Sequence, residues 1–166
     1  WGAFAGLGFD ALVGIDDIAR IEVIRGPVSS VYGTNAFFGI INIVTRGAAE
    51  LPRAWARAGY NKIIGPTLGA GFSAGGLHEQ LRGSVHFMNR VGETLSLDIP
   101  DGAKLDADGS RAFVAGLVGA YGGSFLQLRA ARWRRESPFA PYDVNPLFDP
   151  YELSDTHVLA EGGHTR

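Results

Sequence analysis

From Arg53 onward the chain keeps a two-residue rhythm, and that rhythm limits what it can become. In "RAWARAGYN", Ala54, Ala56, Ala58 and Tyr60 share one side of an extended chain, and Arg53, Trp55, Arg57 and Asn61 share the other. In "TLGAGFSA", Leu68, Ala70, Phe72 and Ala74 oppose Thr67, Gly69, Gly71 and Ser73. In "QLRGSVHFMNR", Leu81, Gly83, Val85 and Phe87 oppose Gln80, Arg82, Ser84, His86 and Arg90. A period of two is the mark of strands with one apolar and one polar face. "AFVAGLVGAY" and "SFLQLRAARW" read as a fourth and a fifth strand, and "SDTHVLAE" as a weakly patterned sixth. The uncharged run from Ala112 to Leu128 tempts a helix assignment, but Gly122-Gly123 lies inside it. A Gly-Gly pair between apolar runs signals a hairpin.

The connections sort by length. Lys62–Pro66, Gly75–Glu79 and Gly122-Gly123 are short, whereas Val91–Gly109 and Arg134–Tyr151 are long. After the first connection, long and tight gaps alternate. Long loops at one end and tight turns at the other describe an outer-membrane β-barrel, whose lipid face is apolar and whose interior is polar. A water-soluble sandwich also alternates its faces but has less reason to sort its loops. The runner-up is therefore a soluble secreted all-β domain that binds a ligand or carbohydrate.

Composition agrees with an all-β chain. There are 24 glycines and 46% hydrophobic residues among 166, which argues against disorder. A net charge of −2 gives no footprint for nucleic acid, and the absence of cysteine excludes disulfides and thiolate metal sites. The chain opens on Trp1 and stops at "EGGHTR", so both ends read as cuts through a longer protein.

The region before Arg53 differs. After Gly26 no charged side chain occurs until Arg46, a run long enough for a transmembrane helix of about 20 residues. Pro27, Gly33 and Gly39 break helical continuity, and Ser29, Ser30, Thr34, Asn35 and Asn42 are costly in hydrocarbon. Three short pieces fit better. Ile21–Arg25 is β-branched and alternating, so it reads as a strand ended by Gly26-Pro27. Val28–Tyr32 suits one helical turn with Gly33 as its C-cap. Ile40–Thr45 is a second strand.

The run "IARIEVIRGPVSSVYGTNAFFGIINIVTR" resembles the closing segment of the plug domain of TonB-dependent outer-membrane receptors. The family pattern is R-G-P, then Y-G, a small residue and G, then I-N-I and T. Arg25, Gly26, Pro27, Tyr32, Gly33, Ala36, Gly39, Ile41, Asn42, Ile43 and Thr45 match it, as does the preceding "DDIARIEV". The resemblance implies a large barrel whose lumen is filled by an N-terminal plug. Residues 1–47 are then the end of the plug, and 48–166 are the first strands of the barrel. The expected fold is mainly β: an open, curved antiparallel sheet of about six strands with a small α+β plug piece on its polar side.

The implied function is transport without catalysis. A scarce ligand, such as a ferric siderophore, haem or cobalamin, is bound from outside. A TonB energy-coupling complex, acting through an upstream segment, then drives its uptake. The implied partners are that ligand, that complex and the lipid of a Gram-negative outer membrane, with no cofactor. Tyr32, Thr34 and Asn35 are expected at a plug apex facing the ligand, and Arg25 in ionic contact between plug and barrel. Gly33 and Gly39 are expected where a side chain is not tolerated.

Other chemistries fail on spacing. His78, His86, His157 and His164 have no metal-ligand spacing. Asp101–Gly109 carries three aspartates but lacks the calcium-loop glutamate, so it reads as a solvated loop. Ser154, Asp155 and His157 alternate faces on a strand and make no triad. The glycines fit no nucleotide fingerprint. The loop Arg134–Tyr151, with four prolines, suits either a ligand gate or an interfacial anchor.

Overall fold

The computed structural model describes residues 12–26, 38–62, 65–76, 79–90, 92–96, 104–107, 109–137 and 151–165. Two strands come first, β1 (Ile18–Arg25) and β2 (Gly39–Thr45), paired antiparallel as a two-stranded sheet of their own. They are each other's sole strand partners among the described residues, as expected. Gly26 at φ +108° and Gly39 at φ +152° begin and end the connection between them. A side chain at Gly39 would also meet the Ile24 carbonyl oxygen at 2.5 Å, which gives the expected intolerance there a physical cause. Val28–Tyr32 and Gly33, read as a capped helical turn, lie outside the described residues.

The six expected strands form one antiparallel meander. They are β3 (Ala54–Asn61), β4 (Gly65–Gly75), β5 (Gln80–Arg90), β8 (Ser110–Tyr121), β9 (Ser124–Ser137) and β10 (Tyr151–His164). Each pairs with its neighbour in the order β3-β4-β5-β8-β9-β10, and β3 and β10 are open edges. The sheet does not close. Gly122 and Gly123, at φ +56° and +82°, make the two-residue turn between β8 and β9. Left-handed φ at both positions is what such a hairpin requires.

Two features go beyond the sequence reading. The segment from Val91 to Gly109 contains a small hairpin, β6 (Glu93–Ser96) with β7 (Lys104–Ala107). β9 and β10 also run further than expected, pairing as far as Ser137 with Tyr151. Arg134 bonding to Glu152 across that extension helps to hold it.

Register decides which side chains share a face. Leu68, Phe87, Phe113 and Arg132 lie in one cross-strand row, as do Ala70, Val85, Ala115 and Ala130. With Phe72, Leu81, Leu117, Leu126, Leu128 and Val158 the apolar members of these rows make a continuous apolar band, bordered by Arg132, and its large side chains are 39–78% exposed. The opposite face carries Trp55, Arg57, Arg82, Ser84, His86, Gln127, Arg129 and Glu161. Val85 and Phe87 thus stand opposite Arg82 and His86, the sorting the sequence predicts. Water-soluble sheets bury the apolar side and wet the polar one; here the bare side is the apolar one.

Candidate functional site

Charge on the polar face gathers where the segment before β1 meets the sheet. Gly14 is extended, and the Asp17 N–H donates to its carbonyl at 3.0 Å, folding Ile15–Asp17 into a single 3-10 turn. That turn brings two adjacent carboxylates against β3 and β5. Asp16 meets Arg57 Nη1 at 2.8 Å and faces His86 Nδ1 at 3.6 Å. Asp17 accepts a hydrogen bond from the Ser84 hydroxyl and faces His86 Nε2 at 3.2 Å. One imidazole therefore stands between two carboxylates.

The space around the cluster is cleared by glycine. A Cβ on Gly14 would land on the His86 ring, so only a bare backbone lets the turn come this close. Trp55 tilts over the imidazole at 5.6 Å between centroids. The indole lies across Gly69 and Gly71 of β4, where added Cβ atoms would come within 3.0 and 2.6 Å of it. The alternating glycines of "TLGAGFSA" thus serve the polar face, as a bed for Trp55.

Asp17 is 6% exposed. Burial pushes its carboxyl upward, but the His86 and Ser84 hydrogen bonds and the nearby Arg82 charge outweigh that and hold it below the usual value. Arg82 also donates to the Thr45 hydroxyl at 2.8 Å, and Arg129 reaches the Leu12 carbonyl at 3.4 Å. The linker after β2 is stitched down as well. The Ala48 N–H donates to Gln80 Oε1 at 3.1 Å, and the Ser73 hydroxyl bonds to the Leu51 and Pro52 carbonyls at 3.1 and 2.9 Å.

Among the described residues, docking gathers at this root. The Arg46 N–H donates to the Asp17 carbonyl at 2.8 Å, closing the base of the hairpin beside the ionic cluster. Further out, Ile21, Val23 and Ile41 are 57–69% exposed. The sequence reading has the whole Arg20–Thr45 unit packed on the polar face. Among the described residues, the contacts to the sheet run through Thr45 and the segments that flank the two strands, and Ile21, Val23 and Ile41 of the strand bodies stand exposed.

Of the eleven residues that match the plug pattern, seven are described: Arg25, Gly26, Gly39, Ile41, Asn42, Ile43 and Thr45. Arg25 and Gly39 are register partners at the far end of the hairpin, with Gly26 beside them. No carboxylate partner of Arg25 occurs among the described residues; the contacts that tie hairpin to sheet run through Asp16 and Asp17. Asn42 pairs with Glu22 and donates to its carboxylate at 2.8 Å, while Arg20 holds the other oxygen at 2.7 Å. Those two bonds, that from Arg20 first, lower the Glu22 pKa. Pro27, Tyr32, Gly33, Thr34, Asn35 and Ala36 lie outside the described residues.

The aspartates, Arg57, Ser84, His86 and Gly14 were missed as a site. The signal was present as "GIDD" upstream and a polar strand face downstream, but no spacing rule joins residues about 70 positions apart. Among the described residues no group of three or more His, Cys, Asp or Glu is placed to hold a metal ion. Asp155 contacts His157 at 2.8 Å on the polar face, with Ser154 on the other.

Comparison with known proteins places short stretches of the chain among outer-membrane receptors. Over 29 residues the chain is 66% identical to an iron-regulated outer membrane virulence protein of Vibrio cholerae serotype O1, a match covering 18% of this chain and 4% of that protein. Over 53 residues it is 36% identical to the pesticin receptor of Yersinia pestis, covering 32% of this chain and 8% of the receptor. The same figures hold for the pesticin receptor of Yersinia enterocolitica. The matches thus span under a tenth of the length of these relatives. No family model matches the chain, and no solved structure matches it.

Proposed function

We propose that the chain is part of a TonB-dependent receptor in the outer membrane of a Gram-negative bacterium, the end of the plug followed by the first barrel strands. Residues 1–47 belong to the plug and 48–166 to the barrel wall. The observation that carries this reading is the inverted sheet: its exposed side carries an apolar band that crosses all six strands, while the ionic side receives the hairpin root.

Dimensions support it. On β8 the apolar row runs from Phe113 to Tyr121, about 26 Å of strand. At a tilt of 35–45° this covers about 20 Å along the bilayer normal, close to the apolar band of about 25 Å in such barrels. Tyr60 and Tyr121, 78% and 72% exposed, point outward at opposite ends of the sheet, where aromatic girdles belong. Further strands complete the barrel, since free edges are not tolerated in hydrocarbon.

The protein binds a metal chelate or similar scarce ligand and imports it by energy-coupled plug rearrangement, without making or breaking a bond in it. Tyr32, Thr34 and Asn35 form the ligand-facing apex. The test is uptake of a panel of labelled ferric siderophores, haem and cobalamin by cells whose full-length receptor carries this sequence, with and without the inner-membrane energy complex. Uptake of one ligand that stops when the complex is deleted is the expected result. Uptake that persists without it refutes the reading. Tyr32→Ala should raise the dissociation constant for that ligand while leaving the outer-membrane level unchanged; an unaltered constant removes Tyr32 from the site.

A further inference from the structure

The apolar face has a sharp upper border. Following the rows toward the long-loop end, Phe113 pairs with Arg132, and the next outward row pairs Asn89, Arg111 and Arg134. Three arginines therefore point out of the sheet on the apolar side: Arg132 ends the last hydrophobic row, and Arg111 and Arg134 stand in the row immediately beyond it. Paired residues on adjacent strands stand about 5 Å apart and diagonal ones about 7–8 Å, so the three side chains can converge on one small anion. Arg111 and Arg132 are exposed.

Their compensation within the protein is partial. Arg134 is bound by Glu152, and Arg111 donates through Nε to Asn89 Oδ1 at 3.0 Å. Arg132 has no carboxylate partner among the described residues. The row beyond holds Glu136 and Glu152, and a polar recess there is lined by Asn89, Arg111, Arg134, Glu136 and Glu152. The carboxylates stand one row further from the apolar band, so Arg132 and Arg111 meet an approaching headgroup first. Planar guanidinium donors match phosphate oxygens in geometry and remain charged.

Resting on the outer-membrane reading above, we infer that Arg111, Arg132 and Arg134 form a site for the phosphate of an anionic membrane lipid whose acyl chains lie along Phe113, Leu117 and Leu128. The apolar row and the cationic row are contiguous, so the ligand that satisfies both is amphipathic, with its phosphate at the height of the band's border. Free phosphate satisfies only the arginines.

The experiment uses the full-length receptor in detergent micelles, titrated with phosphatidic acid, with diacylglycerol of the same chains, and with inorganic phosphate, bound lipid being counted by native mass spectrometry. The wild type should retain phosphatidic acid and release diacylglycerol. The double variant Arg111→Gln/Arg132→Gln should bind phosphatidic acid about thirtyfold more weakly, from about fivefold per arginine near a lipid surface. Arg111→Lys/Arg132→Lys should recover most of that loss. Arg53→Gln, a charge removed at the opposite end of the strands, should change nothing. Equal retention of phosphatidic acid and diacylglycerol, or by wild type and the glutamine variant, overturns the inference. Competition by inorganic phosphate at the lipid's own concentration also overturns it, since an anion alone would then suffice. A heat-resistant barrel band on cold gels is scored for every variant. A missing band in the wild type counts against the membrane reading itself; an intact band with unselective lipid binding counts against the arginine site alone.

Discussion

Replacing Asp17 tests the dock most directly. The carboxylate is 6% exposed, accepts from Ser84 and faces His86 Nε2 at 3.2 Å. Hydrogen bonds to a charged group contribute about 1.5–3 kcal/mol each, and breaking a fully buried pair costs about 3–5 kcal/mol. Here His86 keeps Asp16 as a second acidic neighbour at 3.6 Å, so the stranded imidazole is partly compensated. Asp17→Ala should therefore weaken docking by about 2–4 kcal/mol, and Asp17→Asn, which keeps one acceptor, by somewhat less. The assay is urea-induced release of the hairpin in the intact receptor. It is followed by a spin label at Val23→Cys, an exposed position in a chain with no cysteine of its own. A double-mutant cycle with Ser84→Ala should give a coupling energy of about 1–2 kcal/mol, since contacting residues are not additive. Additivity within about 0.3 kcal/mol, or a release midpoint unmoved by Asp17→Ala, refutes the claim that this turn holds the hairpin to the sheet.

Three further outcomes follow from the same geometry. Val85→Arg should destabilise the inserted barrel by about 2–4 kcal/mol, measured by urea unfolding in lipid vesicles. Gln127→Arg on the polar face should cost far less, and equal costs would contradict the assigned faces. Gly14→Ala should release the hairpin at lower urea although its φ of −69° suits any residue, because the new methyl collides with the His86 ring; a neutral effect would refute the close approach. Because the docked Asp17 carboxyl is held below the usual aspartate value, its stabilisation is complete above that usual value and is lost as pH falls through the lower, docked value. Docking measured by the Val23→Cys label should accordingly weaken below about pH 4 in the wild type. The same decline should be shallower in Asp17→Asn, and identical profiles would remove Asp17 as the titrating group.

The strands were legible because each carries its own evidence. The alternation of "QLRGSVHFMNR" needs no partner to be read, and Gly122-Gly123 marks its turn locally. Face assignment followed, since a period of two fixes which side chains travel together. The small hairpin β6–β7 was hidden because "ETLS" and "KLDA" are too short to display a period. The ionic dock was hidden for a different reason. Asp17 and His86 are joined by the docking of one unit on another, and no local pattern in either segment encodes the other's position. Gly14 was invisible for the same cause: its small size matters solely because an imidazole from β5 arrives there.

The placement of the contacts bears on how such a unit can work. A hairpin glued along its whole length to the sheet would need every apolar contact broken before it could move. Here the body of β1 and β2 leaves Ile21, Val23 and Ile41 exposed, and among the described residues the attachment is concentrated in a few polar contacts around Asp16, Asp17, Thr45 and Ala48. Polar contacts are short-ranged and directional, so a displacement of a few ångströms at the root removes most of their energy at once. Water then solvates the freed carboxylates, which lowers the cost of separation further. An attachment of this kind holds firmly at rest and lets go abruptly under a pull from one end. On the function proposed above, an energy-coupled plug that leaves and returns without unfolding the barrel needs those two properties together. They follow from placing acid on the turn and arginine, serine and histidine on the wall.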